Sequence, residues 1–284
     1  MNAATYSRSG SSFPAPGVKR LKHLIVNSYI LFDPASSDWV LVDAGLSRFS
    51  AWTIRAHAKQ RFGDRPPRAI ILTHGHFDHI GALKPLLASW DVPVYAHQLE
   101  LPFVTGRADY LPPDPRVGGG LMAWLAFLYP RRGIDISDRV EALPPDGSIP
   151  NLREWRWIHT PGHTPGHIAL FRESDRVLIP GDAFITVKQE SFWAVATQKP
   201  TMHGPPMYFT PDWQGARRSV RELAALKPNI VASGHGLPVR GPEVQRRLDH
   251  LAVNFDRVAV PKRGRYVKRQ ETLEFSPNLE FQHR

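Results

Sequence analysis

Cysteine is absent from all 284 residues. That excludes disulfides, thiol nucleophiles, iron–sulfur clusters and thiolate zinc sites together, so a bound metal would have to rest on imidazole and carboxylate. No apolar run approaches the ~20 residues needed to span a bilayer, and no low-complexity tract occurs. The opening stretch MNAATYSRSGSSFPAPG lacks the apolar core of a signal peptide, so the expected location is cytoplasmic. There is no G-x-S-x-G elbow to present a serine nucleophile.

What is present is an ordinary globular composition, 42% hydrophobic, at a length that suits one α/β or two-layer unit. The formal charge of +10 points toward anionic partners, but charge speaks to association more than to fold. Part of it lies in KRGRYVKR (262–269), read as a solvated basic tail rather than a nucleic-acid contact. The expected organisation is an N-terminal extension (1–22), one catalytic domain (23–260) and a basic C-terminal tail (261–284).

Strands are expected at HLIVNSYILF (23–32), DWVLVDAG (38–45), AIILT (69–73), PVYAH (93–97), REWRWIH (153–159), HIALFRE (167–173), DRVLIPGD (175–182) and NIVASGH (229–235). Helices are expected around 47–62, 81–90, 211–226 and 242–259, the last with Pro242 in its first turn. Strands and helices intermingle in both halves, which implies an α/β sandwich with two sheets inside and helices outside. GLMAWLAFLYP (120–130) reads as a short helix, either buried or walling a substrate pocket. The stretch 184–209 is too long for a simple connection and is the expected place for specificity. With GLMAWLAFLYP it would form an apolar, partly cationic pocket.

HTPGHTPGH (159–167) places a histidine at every fourth position, the spacing that stacks residues on one helix face. Pro161 and Pro165, each followed by glycine, rule the helix out and make the segment two successive turns. At most one or two of its histidines can share a site.

Their partners lie in THGHFDH (73–79), directly after the strand AIILT. Alternate side chains of an extended chain point the same way, so His74 and His76 can grip one ion. Asp78 and His79 follow as the backbone turns. Four potential ligands within six residues are hard to explain structurally. Two ions about 3.5–4 Å apart sharing a carboxylate need roughly seven side chains. The chain offers three more beside glycines at strand ends: His163, Asp182 and His235.

HxHxDH at 74–79, HTPGHT at 159–164, GD at 181–182 and SGHG at 233–236 resemble the metal-binding motifs of the metallo-β-lactamase-fold hydrolases, and VDAG at 42–45 resembles an early strand of that fold. The resemblance runs from about residue 23 to 258. It implies a four-layer αββα sandwich and a glyoxalase II- or lactonase-like hydrolase. By this likeness His74, His76 and His163 hold one divalent ion, Asp78, His79 and His235 hold the second, and Asp182 bridges them. Zinc is the expected metal. Asp43 is expected to orient a ligand imidazole through its other ring nitrogen, and His159 and His167 are read as structural.

The reaction implied is hydrolysis of a small-molecule carboxylic ester, thioester or lactone by a hydroxide bridging the two ions, with Asp78 as the catalytic carboxylate that relays a proton. Within the same fold, β-lactamases lack an aspartate at the position of Asp182. Lactonases usually carry a tyrosine where this chain has Ile185. The helical region of glyoxalase II is not evident after His235. Nucleases of the ribonuclease Z type share HGHFDHIG (74–81), so phosphodiester cleavage is the alternative reading. β-Lactam hydrolysis and a non-enzymatic binding role rank below it. Oligomeric state is left open, a homodimer included.

Overall fold

Burial on both faces marks a strand between two layers, and Val26–Phe32 is buried at every residue. Tyr29 and Leu31 enter one hydrophobic cluster while Ile30 and Phe32 enter another, the alternation a pleated strand requires. The computed structural model describes residues 12–35 and 37–267.

The first sheet contains β1 (Val18–His23), β2 (Val26–Phe32), β3 (Trp39–Val42), β4 (Ile70–Ile71), β5 (Val94–Ala96) and β6 (Val140–Ala142), in that order. It is antiparallel from β1 to β3 and parallel from β3 to β6. The remaining strands are β7 (Trp155–His159), β8 (Ile168–Arg172), β9 (Val177–Ile179), β10 (Ile185–Val187), β11 (Pro200–His203), β12 (Ile230–Val231) and β13 (Val239–Arg240). The second sheet runs β13-β12-β9-β8-β7, with β12 parallel to β9, and β10 and β11 form a separate hairpin.

Tyr29, Leu31, Val40, Val42 and Ile71 of the first sheet meet Ile168, Leu170, Val177 and Ile179 of the second in one buried cluster. Behind the first sheet, Ile54, Ala58 and Phe62 of helix Arg48–Phe62 pack with Leu83 and Leu86 against Ile30, Leu41 and Ile70. Behind the second, Val220 and Leu223 of helix Trp213–Ala225 and Val244, Leu248 and Leu251 of helix Pro242–Val253 cover Phe171, Leu178 and Val231. The architecture is the expected four-layer αββα sandwich.

Several elements differ from the sequence reading. The segment 23–32 is one arm of a hairpin, because Leu24 turns the chain at φ +58° and β1 precedes it, paired from Val18↔Leu31 to His23↔Val26. Lys19, Arg20 and Lys22 hid β1 from a search for apolar runs. The strand thus begins at Val18, within the stretch read as an extension. The last helix breaks at Asn254 into Pro242–Val253 and Phe255–Val258. Residues 120–130 form Leu121–Trp124 and a 3₁₀ turn at Leu125–Leu128, burying only Ala123 and Ala126. Residues 261–267 pack against the fold, with Tyr266 buried. Lys268, Arg269 and the rest of the expected tail lie outside the described residues, as do 1–11. Among the described residues, no helix is long and apolar enough to cross a membrane.

Candidate metal centre

Parallel strands open their loops at their carboxyl ends, where α/β proteins place ligands. β3 and β4 are parallel, as are β9 and β12. Asp43 follows β3, the run His74–His79 follows β4, Asp182 follows β9, and His235 follows β12. His163 sits in the turn joining β7 to β8. The sheets are stitched together at this edge. Ile168 N donates to Thr73 O (2.9 Å), and Tyr29 Oη and Asn27 Nδ2 donate to Ser233 O (2.7 and 2.9 Å).

All seven residues singled out in the sequence meet there. Three triads each present donor atoms within 4.8 Å of one another: His74, His76 and His163; His74, His79 and Asp182; Asp78, His79 and His235. Asp182 Oδ2 is central, 3.1 Å from His235 Nε2, 3.6 Å from His79 Nε2 and 3.7 Å from His163 Nε2. His235 Nε2 is also 3.4 Å from Asp78 Oδ2, and His76 Nδ1 lies 2.9 Å from His163 Nε2. Ligands about 2.1 Å from one tetrahedral ion stand roughly 3.4 Å apart. The spacings are of that order.

The fit to metal also rests on atoms left without hydrogen bonds. His74 Nε2, His79 Nε2 and Asp182 Oδ1 are buried and have no hydrogen-bond partner. Buried polar atoms are ordinarily paired, so three orphans aimed into one cluster need an occupant. The ion-pair partners of Asp78 and Asp182 are histidines, not fixed cations. Hard nitrogen and oxygen donors of this kind suit divalent cations.

The opposite ring nitrogens hold the imidazoles in place. His79 Nδ1 donates to Asp43 Oδ2 (2.8 Å), and Asp43 also accepts from Thr73 N and Thr73 Oγ1. His235 Nδ1 donates to Ile25 O (2.7 Å), His163 Nδ1 meets Thr210 Oγ1 (3.3 Å), and His74 Nδ1 meets Thr73 Oγ1 (3.1 Å). Gly234 cannot carry a side chain, since a Cβ would fall 2.2 Å from Asp182 Oδ1.

Electrostatics divides the cluster. Burial, followed by neighbouring imidazoles, depresses the His74 pKa far below the usual histidine range and brings His76 to about 3. Burial and His76 likewise lower His163. At His79 burial is outweighed by Asp182, Asp43 and Asp78, and at His235 by Asp182, so both are raised. Asp182 is held well below the carboxylate range because the charges of His235 and His79 overcome its burial. One side of the cluster offers neutral lone pairs, and the other attracts positive charge.

Some contributors carried no local signal. Glu100 is fully buried and accepts from Gly75 N (3.0 Å), Thr164 Oγ1 (2.6 Å), Gly166 N (2.9 Å) and Tyr110 Oη, joining the His74–His79 loop to the His163 turn. Its 3₁₀ turn, Gln98–Glu100, falls in a stretch where no element was expected from the sequence. His167 is buried beside the cluster, and its Nε2 accepts from Asp182 N (2.9 Å). His159 stacks on His97 at 4.2 Å and donates to Pro165 O.

The stretch 184–209 is ordered as β10, helix Phe192–Thr197 and β11, and leaves Phe192 and Trp193 exposed. It contributes Phe209 to a cavity of about 300 Å³ that opens beside His76 and His163, while Phe103, Tyr110 and Tyr266 form other walls. That pocket was expected from 184–209 and 120–130 together, with lysines. The cavity beside His76 and His163 draws half of its described lining from 103–112, and no lysine or arginine is among the described lining residues.

The sequence profile of the metallo-beta-lactamase superfamily matches residues 21–235. The chain belongs to that superfamily. It is 52% identical over 251 residues to "Probable metallo-hydrolase YflN" of Bacillus subtilis (strain 168), covering 87% of this chain and 95% of the relative. "Probable metallo-hydrolase YybB" of the same organism is 32% identical over 70% of this chain and 76% of its own length. Among solved structures, TTHA1623 in a di-iron-bound form superposes with a TM-score of 0.52 at 26% identity, covering 78% of this chain and 93% of that one. As a superfamily member with this His/Asp cluster, the protein is an enzyme, a metallo-hydrolase.

Proposed function

We propose that the enzyme cleaves a carboxylic ester, thioester or lactone of a small molecule, at a dinuclear centre held by His74, His76, Asp78, His79, His163, Asp182 and His235. His74, His76 and His163 would hold one ion and Asp78, His79 and His235 the other, with Asp182 placed between the two triads. Divalent cations so held supply Lewis acidity, lowering the pKa of a water and polarising the substrate oxygen. Zinc is the first assignment. The di-iron form of TTHA1623 supports two ions and makes iron the alternative, since nitrogen and oxygen donors do not force zinc.

The chain's own groups then have distinct tasks. Asp78 is the carboxylate with solvent access, its side chain 12% exposed against 2% for Asp182. It receives a proton from the attacking water at a carboxylate oxygen and passes it toward the leaving group. Asp43, Thr73 and Thr210 keep the imidazoles oriented. Phe209 and Tyr110, with ring centres 4.7 and 4.4 Å from that of His76, exclude water from one side.

The observation that favours a carbonyl substrate over a phosphodiester is the cavity against His76 and His163. Its walls are largely aromatic and aliphatic, with no lysine or arginine among the described lining residues to neutralise phosphates. Metal analysis combined with a panel of thioesters, lactones, aryl esters, a cephalosporin and a phosphodiester tests the reading. The expected result is close to two ions per chain and turnover of a carbonyl ester over a range of salt. Faster cleavage of the phosphodiester, declining steeply with salt, overturns it.

A further inference from the structure

We propose that the cavity beside His76 and His163 binds an apolar alkyl or aryl group of the substrate, and that Tyr266, carried by the C-terminal segment, limits the size of that group. The inference deepens the assignment of carbonyl-ester hydrolysis and rests on it.

The cavity is a built site. Phe103 stacks on Tyr110 with ring centres 4.0 Å apart, Tyr110 lies against His76, and Phe209 closes the side toward the cluster. Tyr266 is only 6% exposed although it stands 190 positions after His76 in the chain. Two contacts hold it. Its hydroxyl donates to Pro112 O, and the neighbouring Arg265 N donates to Asp114 Oδ2. Asp114 is fully buried, accepts from Arg116 N at Oδ1 (3.1 Å), and donates its own N–H to Tyr208 O (2.9 Å). A buried carboxylate thus pins the C-terminal segment to the loop that forms the cavity. With its hydroxyl engaged by Pro112, Tyr266 presents ring carbon to the space beside the metal-ligand histidines.

Size and charge narrow the ligand. A cavity of about 150 Å³ holds a benzene ring, and this one measures about 300 Å³. A group of roughly six to twelve carbon atoms follows. Apart from the two histidines, the only ionisable carboxylate or cation among the described lining residues is the exposed Asp109. It repels anionic groups and leaves neutral apolar ones favoured.

The test uses the metal-loaded full chain and p-nitrophenyl esters from acetate to hexadecanoate. Wild type is expected to show a kcat/KM optimum at intermediate length with a fall beyond it. Tyr266→Ala should move the optimum to longer chains, chiefly through KM. Tyr266→Phe, which keeps the ring, should keep the length limit. Leu111→Trp, at an exposed lining position, should move the optimum to shorter chains and carries the test if Tyr266→Ala does not fold. Neutral 1-alkanols serve as probes independent of hydrolysis. 1-Octanol should bind wild type by NMR titration and bind Leu111→Trp at least tenfold more weakly. A flat length profile, or an unchanged one in folded Tyr266→Ala and Leu111→Trp, overturns the proposal while leaving ester hydrolysis standing. Alkanol binding that responds to Leu111→Trp without cleavage of any ester supports the cavity and sinks the reaction.

Discussion

The two sheets supply one centre in opposite ways. The first contributes His74, His76, Asp78 and His79 from six consecutive residues, where a short strand passes through a turn into helix Phe77–Ile80. The second contributes His163, Asp182 and His235 from three loops spread along the chain, brought together by the β7–β8 turn and the parallel pairing of β9 with β12. Local backbone geometry therefore sets the first group, and strand register sets the second. Glu100 and the contacts of Tyr29 and Asn27 with Ser233 keep the two in step.

If the dispersed group is the bridge between otherwise separate halves, Asp182→Ala should produce the largest effect. Its Oδ2 is approached by three imidazoles. Metal content by plasma mass spectrometry should fall below one ion per chain, and hydrolysis should vanish across the ester panel. Two tightly held ions in that variant would show that the halves do not share a carboxylate.

His163→Ala and His235→Ala separate the triads. Each should leave about one ion per chain, with the remaining ion held by the other triad. Loss of both ions from either variant would mean that the triads are not independent.

Glu100→Ala tests the brace between the regions. It strips acceptors from Gly166 N, Thr164 Oγ1 and Tyr110 Oη, while Gly75 N keeps Tyr110 Oη at 3.0 Å. Unsatisfied buried groups of this kind make a loss of about 3 kcal/mol or more reasonable in urea denaturation, together with metal affinity lowered by about 10–100-fold. An unchanged affinity would confine Glu100 to stability.

The smallest effect concerns His97, which sits outside the centre against His159. Burial, then the His159 charge, lowers its pKa to about 4. The folded state holds it neutral, and the unfolded chain takes up the proton near pH 6.5. Its contribution is therefore complete above pH 6.5 and is lost as pH falls toward 4. His97→Phe should show a shallower loss of stability between pH 6.5 and 4 than wild type, by urea denaturation at each pH. Identical slopes would remove His97 from the acid response.

The residues that the structure brings together are legible in the sequence where polar residues break an apolar pattern. Histidines and aspartates after AIILT, DRVLIPGD and NIVASGH stand out because strands otherwise exclude them. Asp43 was legible through the VDAG motif and does accept from His79. Glu100 gave no such contrast, since a glutamate in a polar turn is unremarkable until its surroundings are known to be buried. β1 was missed because Lys19, Arg20 and Lys22 leave it no apolar run, although Arg20 is itself buried. The cavity beside His76 and His163 was not foreseen, because Phe192 and Trp193 are aromatic yet exposed, while Tyr266 lies inside a basic run yet is buried.

The sequence by itself determined the layering and the donor chemistry. Intermingled strand and helix patterns are enough to place sheets inside and helices outside, and a chain without cysteine offers metals no thiolate. Which atoms meet, and what stands beside them, belonged to the tertiary structure. Parallel pairing of β9 with β12 brings Asp182 to His235, and the Asp114 carboxylate carries Tyr266 to a cavity against His76. Both depend on contacts between residues far apart in the chain, and no local propensity encodes such contacts.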